Sequence, residues 1–216
     1  MSRLVEALHR LNAAYPWDHN AHYHRWLLRQ LPRAAGRVLD VGCGSGELVR
    51  RLAGRRAETV VGVDADAGIL ERARESTSVD APVTYALAEA PGRLPPGPYD
   101  VITCVAVLHH LPFTETLVRF REELAGGGTL VVVGCARAEG VLDHALGLAA
   151  VALNPLVGWV KNRGRAASHR PVSMTAPVRD PEMTFGEIGR EARRILPGVR
   201  LRRRLFWRYT FVWRAP

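Results

Sequence analysis

The segment Val38-Leu39-Asp40-Val41-Gly42-Cys43-Gly44-Ser45-Gly46 constrains this chain more than any other. Its first four residues read as a short buried strand, and three glycines follow at alternate positions. Glu47 to Ala53 then has helical spacing, with Leu48, Val49 and Leu52 on one face. A strand, a glycine loop and a helix in that order bring backbone N–H groups and the positive end of a helix against a ligand. The nicotinamide-type fingerprint needs its third glycine where this chain has Glu47, and the Gly-Lys-Ser/Thr of a phosphate-binding P-loop is absent. An acid in the first helical turn would also repel a pyrophosphate. The loop is shaped for close backbone approach, but not to a polyanion.

Strand and helix periods alternate along the rest of the chain. Val38–Val41, 59–63, 83–87, 99–107 and 129–133 read as strands. Helices are expected at 47–53, 67–75 and 113–124, the last stopping at Gly126-Gly127-Gly128. This order means βαβ units and a mostly parallel α/β sheet with helices on both faces. Past the fifth strand, 141–160 is an apolar helical stretch with a break expected at Asn154-Pro155. A helix over 185–196 and two strands, 199–206 and 208–213, complete the chain, the strands close enough to form a hairpin. The expected organisation is an N-terminal arm over 1–35 and one α/β domain over 36–216. That domain carries a capping insertion at about 137–181.

Acids stand at the ends of successive strands. Asp64, 18 residues after Gly46, ends the second strand, where an acid can accept both hydroxyls of a ribose. Glu89 ends the third strand and could accept from the exocyclic amine of an adenine. Ligands of such sheets sit at the carboxyl ends of the strands, where the strand order reverses. Asp40, Gly44, Asp64, Glu89 and Val105 should gather there.

Together with Val61-Gly62-Val63-Asp64, Tyr99-Asp100-Val101-Ile102 and Val107-Leu108-His109-His110-Leu111, the glycine segment resembles the class I S-adenosylmethionine-dependent methyltransferases. The likeness is close over about residues 36–135, and the terminal hairpin is similar to the family's reversed seventh strand. It implies a Rossmann-like seven-stranded, mostly parallel sheet ending in an antiparallel hairpin. It also implies S-adenosylmethionine as cofactor and S-adenosylhomocysteine as product. The methionine moiety would lie near Gly42 and Gly44, the ribose on Asp64 and the adenine beside Glu89, where the family more often has Asp. The full cofactor set implied is Tyr23, Asp40, Gly42, Cys43, Gly44, Gly46, Asp64, Ala65, Ile69, Ala88, Glu89, Ala90, Val105 and His110. Tyr23 would reach the cofactor's carboxylate.

The acceptor is narrowed mostly by what is missing. Thr103-Cys104-Val105-Ala106 stands where amino-group methyltransferases carry Asn/Asp-Pro-Pro-Tyr/Phe. Cys104 has no proline before it, and no run of carboxylates marks a catechol-type magnesium site. The Leu-His-His-Leu stretch is instead similar to enzymes acting on small molecules, quinone and natural-product methyltransferases among them. His110 and His109 are therefore the candidate catalytic residues. A neutral imidazole there can take the acceptor's proton near pH 7, or can merely line the pocket. Tyr15, Trp17, His19, Asn20 and His22 of the arm, with His109, are the candidate acceptor wall. His19-x-x-His22-x-His24 lacks the carboxylate or cysteine partner of a usual metal site, so no metal is expected. The stretch 141–160 is a hydrophobic lid, a homodimer contact or a core helix. The arginine-bearing loop from Lys161 to Arg179 could meet an anionic group on the acceptor.

Composition bears on partner and compartment. The net charge of +9 sits entirely at the end of the chain: residues 161–216 carry 14 Lys+Arg and 4 Asp+Glu, against 16 and 17 before them. Arg200, Arg202, Arg203, Arg204 and Arg208 on a hairpin raise the rival reading of an RNA methyltransferase tracking phosphates. Arginines facing solvent opposite Leu201 and Leu205 are the plainer account. A cofactor-binding protein without catalysis is a third reading, disfavoured by the intact loop, Asp64 and the histidines. Three cysteines in apolar runs read as buried thiols. No signal peptide and no apolar window long enough to span a bilayer are expected, which points to the cytoplasm and to no membrane partner.

Overall fold

The computed structural model describes residues 10–54, 57–166 and 179–216. Seven strands, β1 (Ala35–Val41), β2 (Ala57–Asp64), β3 (Val83–Leu87), β4 (Tyr99–Val105), β5 (Leu124–Gly134), β6 (Arg200–Arg204) and β7 (Arg208–Arg214), form one sheet in the order β3-β2-β1-β4-β5-β7-β6. The five strands β3 to β5 in that order run parallel, and β7 lies antiparallel to both β5 and β6. The fold is the α/β, mostly parallel arrangement the sequence predicts. The order reverses between β1 and β4, so the carboxyl ends of β1, β2 and β4 share one rim.

Alternation along the central strands separates two cores. Val38, Val101, Val131 and Val133 face α1 (His19–Leu28), α2 (Glu47–Ala53) and α3 (Ala67–Glu75), meeting Leu27, Val49, Leu52 and Leu70. Leu39, Ile102, Leu130 and Val132 face α4 (Phe113–Glu123) and α6 (Phe185–Ile195), meeting Leu117, Phe120, Ile188 and Ala192. Helix and strand bounds fall within a few residues of those expected. The glycine run 126–128 is the one place where type differs: it lies inside β5, which begins at Leu124 directly after α4.

The apolar stretch after β5 corrects the sequence reading more substantially. It is one unbroken helix, α5 (Gly140–Lys161), with Pro155 inside it. The proline leaves only the Val151 carbonyl without its helical donor. Val151 is exposed, so water can serve that carbonyl. Asn154 holds the turn from the other side, through hydrogen bonds to Asn12, Trp17 and His19.

The glycine loop is shaped by crowding. Gly42 and Gly46 have φ of +72° and +77°, and a side chain at either would run into Val107 or into the Tyr85 hydroxyl. Gly44, at φ +53°, has open space where a Cβ would stand. The hairpin turn between β6 and β7 is strained as well: Phe206 and Trp207 hold φ of +57° and +59°, a region bulky residues rarely adopt. Phe206 is buried edge-on to Trp17 at 4.8 Å between ring centroids, and that packing holds the turn.

Gly46→Ala should destabilise the protein by about 1–3 kcal/mol, from left-handed backbone strain plus the Tyr85 clash. Adding Tyr85→Phe should recover a minor part of that loss, because it removes the hydroxyl contact but leaves the ring carbon and Arg50 close to the new methyl, and leaves the backbone strain. Thermal unfolding of the two single variants and the double variant checks this.

Candidate active site

A cavity of about 720 Å³ opens on the rim formed by β1, β2 and β4, within the roughly 300–1,000 Å³ usual for small-molecule sites. Its floor is Asp40 to Ser45, the glycine loop running into α2. Gly44 is the closest point of backbone approach, since nothing occupies the place of its missing side chain.

Asp64, at the end of β2, ties this floor together. Its carboxylate accepts from the Gly44 N–H at 2.8 Å and the Asp66 N–H at 3.1 Å. Asp40 lies 2 % exposed in β1, opposite Thr103 of β4. The Thr103 hydroxyl donates to it at 2.6 Å. Burial raises the Asp40 carboxyl to about 7, with the nearby Asp64 charge adding to the rise and the Thr103 bond opposing it.

Five carboxylates line the cavity, Asp18, Asp40, Glu47, Asp64 and Asp66, against the single guanidinium of Arg72. Such a lining favours a cationic ligand. Ala65 and Ile69 follow Asp64 along the wall, and Ala88 and Ala90 close the end near β3. Across from them stand Val105, Ala106, Val107, His110 and Leu111, where β4 turns through one 3-10 turn, Leu108–His110.

Asp18, Asn20 and His24 of the arm complete the lining. Asn20 and His24 are four residues apart on α1 and so share a face. His24 is 6 % exposed, with an unpartnered Nδ1 that lies 3.9 Å from a Glu47 carboxylate oxygen. Burial lowers its pKa, against the pull of Glu47.

Of the residues expected at the site, Asp40, Gly42, Cys43, Gly44, Asp64, Ala65, Ile69, Ala88, Ala90, Val105, His110 and Asn20 line the cavity. Eight stand outside it. Gly46 is turned toward Tyr85, and the Glu89 side chain faces solvent between the two lining alanines. Tyr23 shares its helix face with Leu27, packs on the sheet, and donates to the Leu205 carbonyl at 2.6 Å. Trp17 and His19 point instead at α5, where both reach the Asn154 side chain, at 2.9 and 2.8 Å. His22 packs edge-on to Phe206, and the Tyr15 backbone sits against Gly158.

His109 lies tilted against His110 at 4.1 Å between centroids and keeps a buried, unpartnered Nδ1. Desolvation first, then His110, Arg208 and Arg179, hold its pKa down at about 4. His110 is lowered too, by desolvation and by Arg179. Tyr23, Glu89 and most of the arm's aromatics therefore stand outside the cavity lining.

Sequence reasoning overlooked Asp18, His24, Glu47, Thr103, Val107 and Leu111. The pairing of Asn20 with His24 at four-residue spacing was the available signal. Two of the three cysteines are buried and Cys135 is partly so, all as free thiols. Among the described residues, no group of three His, Cys, Asp or Glu side chains converges on a point. The arginine-bearing loop expected over 161–179 lies largely outside the described residues.

Comparison with known proteins agrees with this fold. Residues 38–128 match the family described as Methyltransferase domain. An uncharacterized methyltransferase of Mycobacterium tuberculosis is 35 % identical over 204 residues, covering 93 % of this chain and 98 % of that protein. A ubiquinone biosynthesis O-methyltransferase of Thiobacillus denitrificans is 35 % identical over 117 residues, about half of each chain (47 % and 49 %). Among solved structures, an S-adenosylmethionine dependent methyltransferase from Mesorhizobium loti superposes with a TM-score of 0.59 at 18 % identity, over 88 % of this chain and 96 % of its own. A Haemonchus contortus phosphoethanolamine N-methyltransferase bound to S-adenosylhomocysteine gives 0.58 at 19 % identity, over 84 % of this chain and 38 % of its own.

The chain belongs to the class I S-adenosylmethionine-dependent methyltransferases. It is an enzyme, and S-adenosylmethionine is its methyl donor. The residues present fit that donor: an acid-lined cavity suits its sulfonium and ammonium charges, and the open face at Gly44 admits close contact.

Asp64→Ala should weaken cofactor binding by about 1–3 kcal/mol, through loss of charged hydrogen bonds and of the restraint on Gly44; calorimetric titration measures it. Asp40 gives a pH signature. Its folded-state pKa lies above the unfolded value, so its cost to stability accumulates between about pH 4 and 7 and is constant above. Asp40→Asn should remove that cost, of order 4 kcal/mol at most for a shift of about three units. The variant's advantage in unfolding free energy should grow from pH 5 to 7 and then level off.

Proposed function

We propose that the enzyme methylates a small, aromatic or apolar molecule by in-line displacement, with His110 as general base. The observation that carries this reading is the continuity of one cavity from the acids beside the glycine loop to Val107, His110 and Leu111. The far wall is apolar apart from the imidazole, which suits an acceptor with one polar reacting group on an otherwise apolar body. The likeness to a ubiquinone biosynthesis O-methyltransferase over half the chain supports the same class.

The cofactor supplies a methyl group activated on sulfur. Asp40, Gly42, Gly44 and Asp64 are assigned to its methionine and ribose portions, and Ala88 and Ala90 to its adenine. His24 and Glu47 are assigned to the amino-acid end of the cofactor. His110 receives the proton that the acceptor loses as its new bond to carbon forms. Val107 and Leu111 orient the acceptor and exclude water. The arm supplies Asp18, Asn20 and His24 to the site of the 36–216 domain, and the insertion over 137–181 is assigned as its cap.

The RNA reading finds little support on the hairpin. Arg203 pairs with Asp143, Arg204 lies over Trp26, and Arg208 bonds Asn20. These three arginines are engaged in holding the fold together.

Turnover should fall on the acid side with a midpoint below 6.5, since desolvation and Arg179 lower the His110 pKa and the imidazole fails as a base only once protonated. His110→Ala should lower turnover by roughly 100-fold or more and abolish that acid limb, with cofactor affinity unchanged. Equal turnover with the same pH profile would remove His110 as the base. Labelled methyl transfer into fractionated extract tests the acceptor class, and label in RNA rather than small molecules would overturn it.

A further inference from the structure

Helix α5 is built with its apolar side outward. No charged residue stands between Asp143 and Lys161. The polar side chains Asp143 and Asn154 turn inward to protein partners. Leu142, Leu148, Leu153, Leu156, Trp159 and Val160 face solvent, with exposures from 38 % at Leu153 to 73 % at Leu148. Its most apolar 18-residue window has a mean hydropathy of 1.5, and only 6 % of it is buried. This corrects the expectation that no stretch is apolar and long enough to span a bilayer: 22 residues rise through about 33 Å.

The helix is nevertheless held along the domain surface. Arg203 bonds Asp143 at 2.7 Å near one end, Trp17 and His19 reach Asn154, and the Asn162 amide donates to the Pro16 carbonyl at 3.0 Å at the other end. With its inner face engaged, only its outer face is open to a partner.

Three observations say what that partner is. Exposed cations, Lys161, Arg163 and Arg165, follow at the C-terminal end, in a segment (161–216) whose net charge is +10. One indole, Trp159, stands on the face beside those cations, half exposed; a second, Trp207, 46 % exposed, lies against Gly147 on the inner side of the helix and so flanks the face. The strained φ of +57° and +59° at Phe206 and Trp207 buries the first ring and presents the second, next to exposed Leu205. An uncharged apolar face, an indole on it with another at its flank, and cations at its end are what an anionic bilayer surface accepts from a helix lying in its plane.

We propose that the outer face of α5, with Leu205 and Trp207, docks on an anionic lipid surface. The helix lies among the headgroups, and Lys161, Arg163 and Arg165 meet their phosphates. The surface is joined to the cavity through Asn154 and the arm that supplies Asp18, Asn20 and His24. A consequence resting on the proposed function is that an apolar acceptor is taken up from the membrane in which it dissolves.

Flotation of the full chain with vesicles of phosphatidylglycerol and phosphatidylcholine, against phosphatidylcholine alone, tests the docking. Binding should be at least tenfold stronger to the anionic vesicles and should weaken with added salt. Leu148→Glu with Leu156→Glu should abolish it, while cofactor affinity and thermal unfolding stay as in the native chain. The triple change Lys161→Ala, Arg163→Ala, Arg165→Ala should remove the preference for the anionic lipid. Failure of the native chain to float, or binding unaffected by the glutamate pair, would overturn the proposal. So would a lipid-free dimer that the glutamate pair dissociates, since the face would then belong to a second copy. Loss of docking with intact methylation of a soluble apolar acceptor would leave the proposed function standing.

Discussion

The Asp64 carboxylate on the Gly44 amide is the contact on which the rest of the site depends. It can form only because β1 and β2 run parallel in register, with Val41 opposite Val63, so that both strands end on the same rim. Gly42 and Cys43 both donate to the Val63 carbonyl, at 2.8 and 2.9 Å, and this turns the chain sharply into the loop. Asp64 then takes the next free amide. From the other side, β4 sets Thr103 opposite Asp40 and gives the buried carboxyl a close donor. The ends of three strands are thereby tied into one acid-lined floor, and a charged cofactor meets groups already held in place. Such preorganisation is the main requirement of a displacement reaction that needs alignment more than covalent assistance.

A second junction centres on Asn154. Its side chain meets Asn12, Trp17 and His19, and beside it Trp17 packs against Phe206 of the hairpin turn. The arm, α5 and the hairpin therefore behave as one unit. The aromatic residues of the arm serve this junction, while the short polar residues between them, Asp18 and Asn20, reach the cavity. A strained turn carrying two bulky aromatics persists because this packing over-determines it. The helix whose exterior is more apolar than its interior is anchored by its few polar groups, Asp143 and Asn154, which invert the usual arrangement of a surface helix.

Much of this was legible along the chain. Period-two runs bounded by glycine and proline marked the strands, and the glycine loop followed by Asp64 marked the cofactor floor, because local backbone geometry and strand-end position follow from short-range sequence. Side-chain direction was less accessible. Tyr23 and His24 are neighbours about 100° apart on one helix. Which of them meets the sheet and which the cavity depends on how α1 is rotated over β5 and the hairpin. Glu89 likewise stands two residues past β3, beyond the point at which strand alternation specifies a face.

Hydrophobic patterning could not report the state of α5. An apolar run reads the same whether buried in a core, packed in a dimer or presented to lipid, and Pro155 reads as a break unless the freed carbonyl is known to face water. The sequence by itself determined the sheet, its reversal point, the glycine loop and the methyltransferase class, since each rests on contacts between residues close in the chain or in adjacent strands. Only the tertiary structure decided that His24 rather than Tyr23 lines the cavity, that the arm's aromatics bind α5, and that α5 turns its apolar side outward. These depend on the rotation and docking of whole helices, which contacts more than a hundred residues apart in sequence impose.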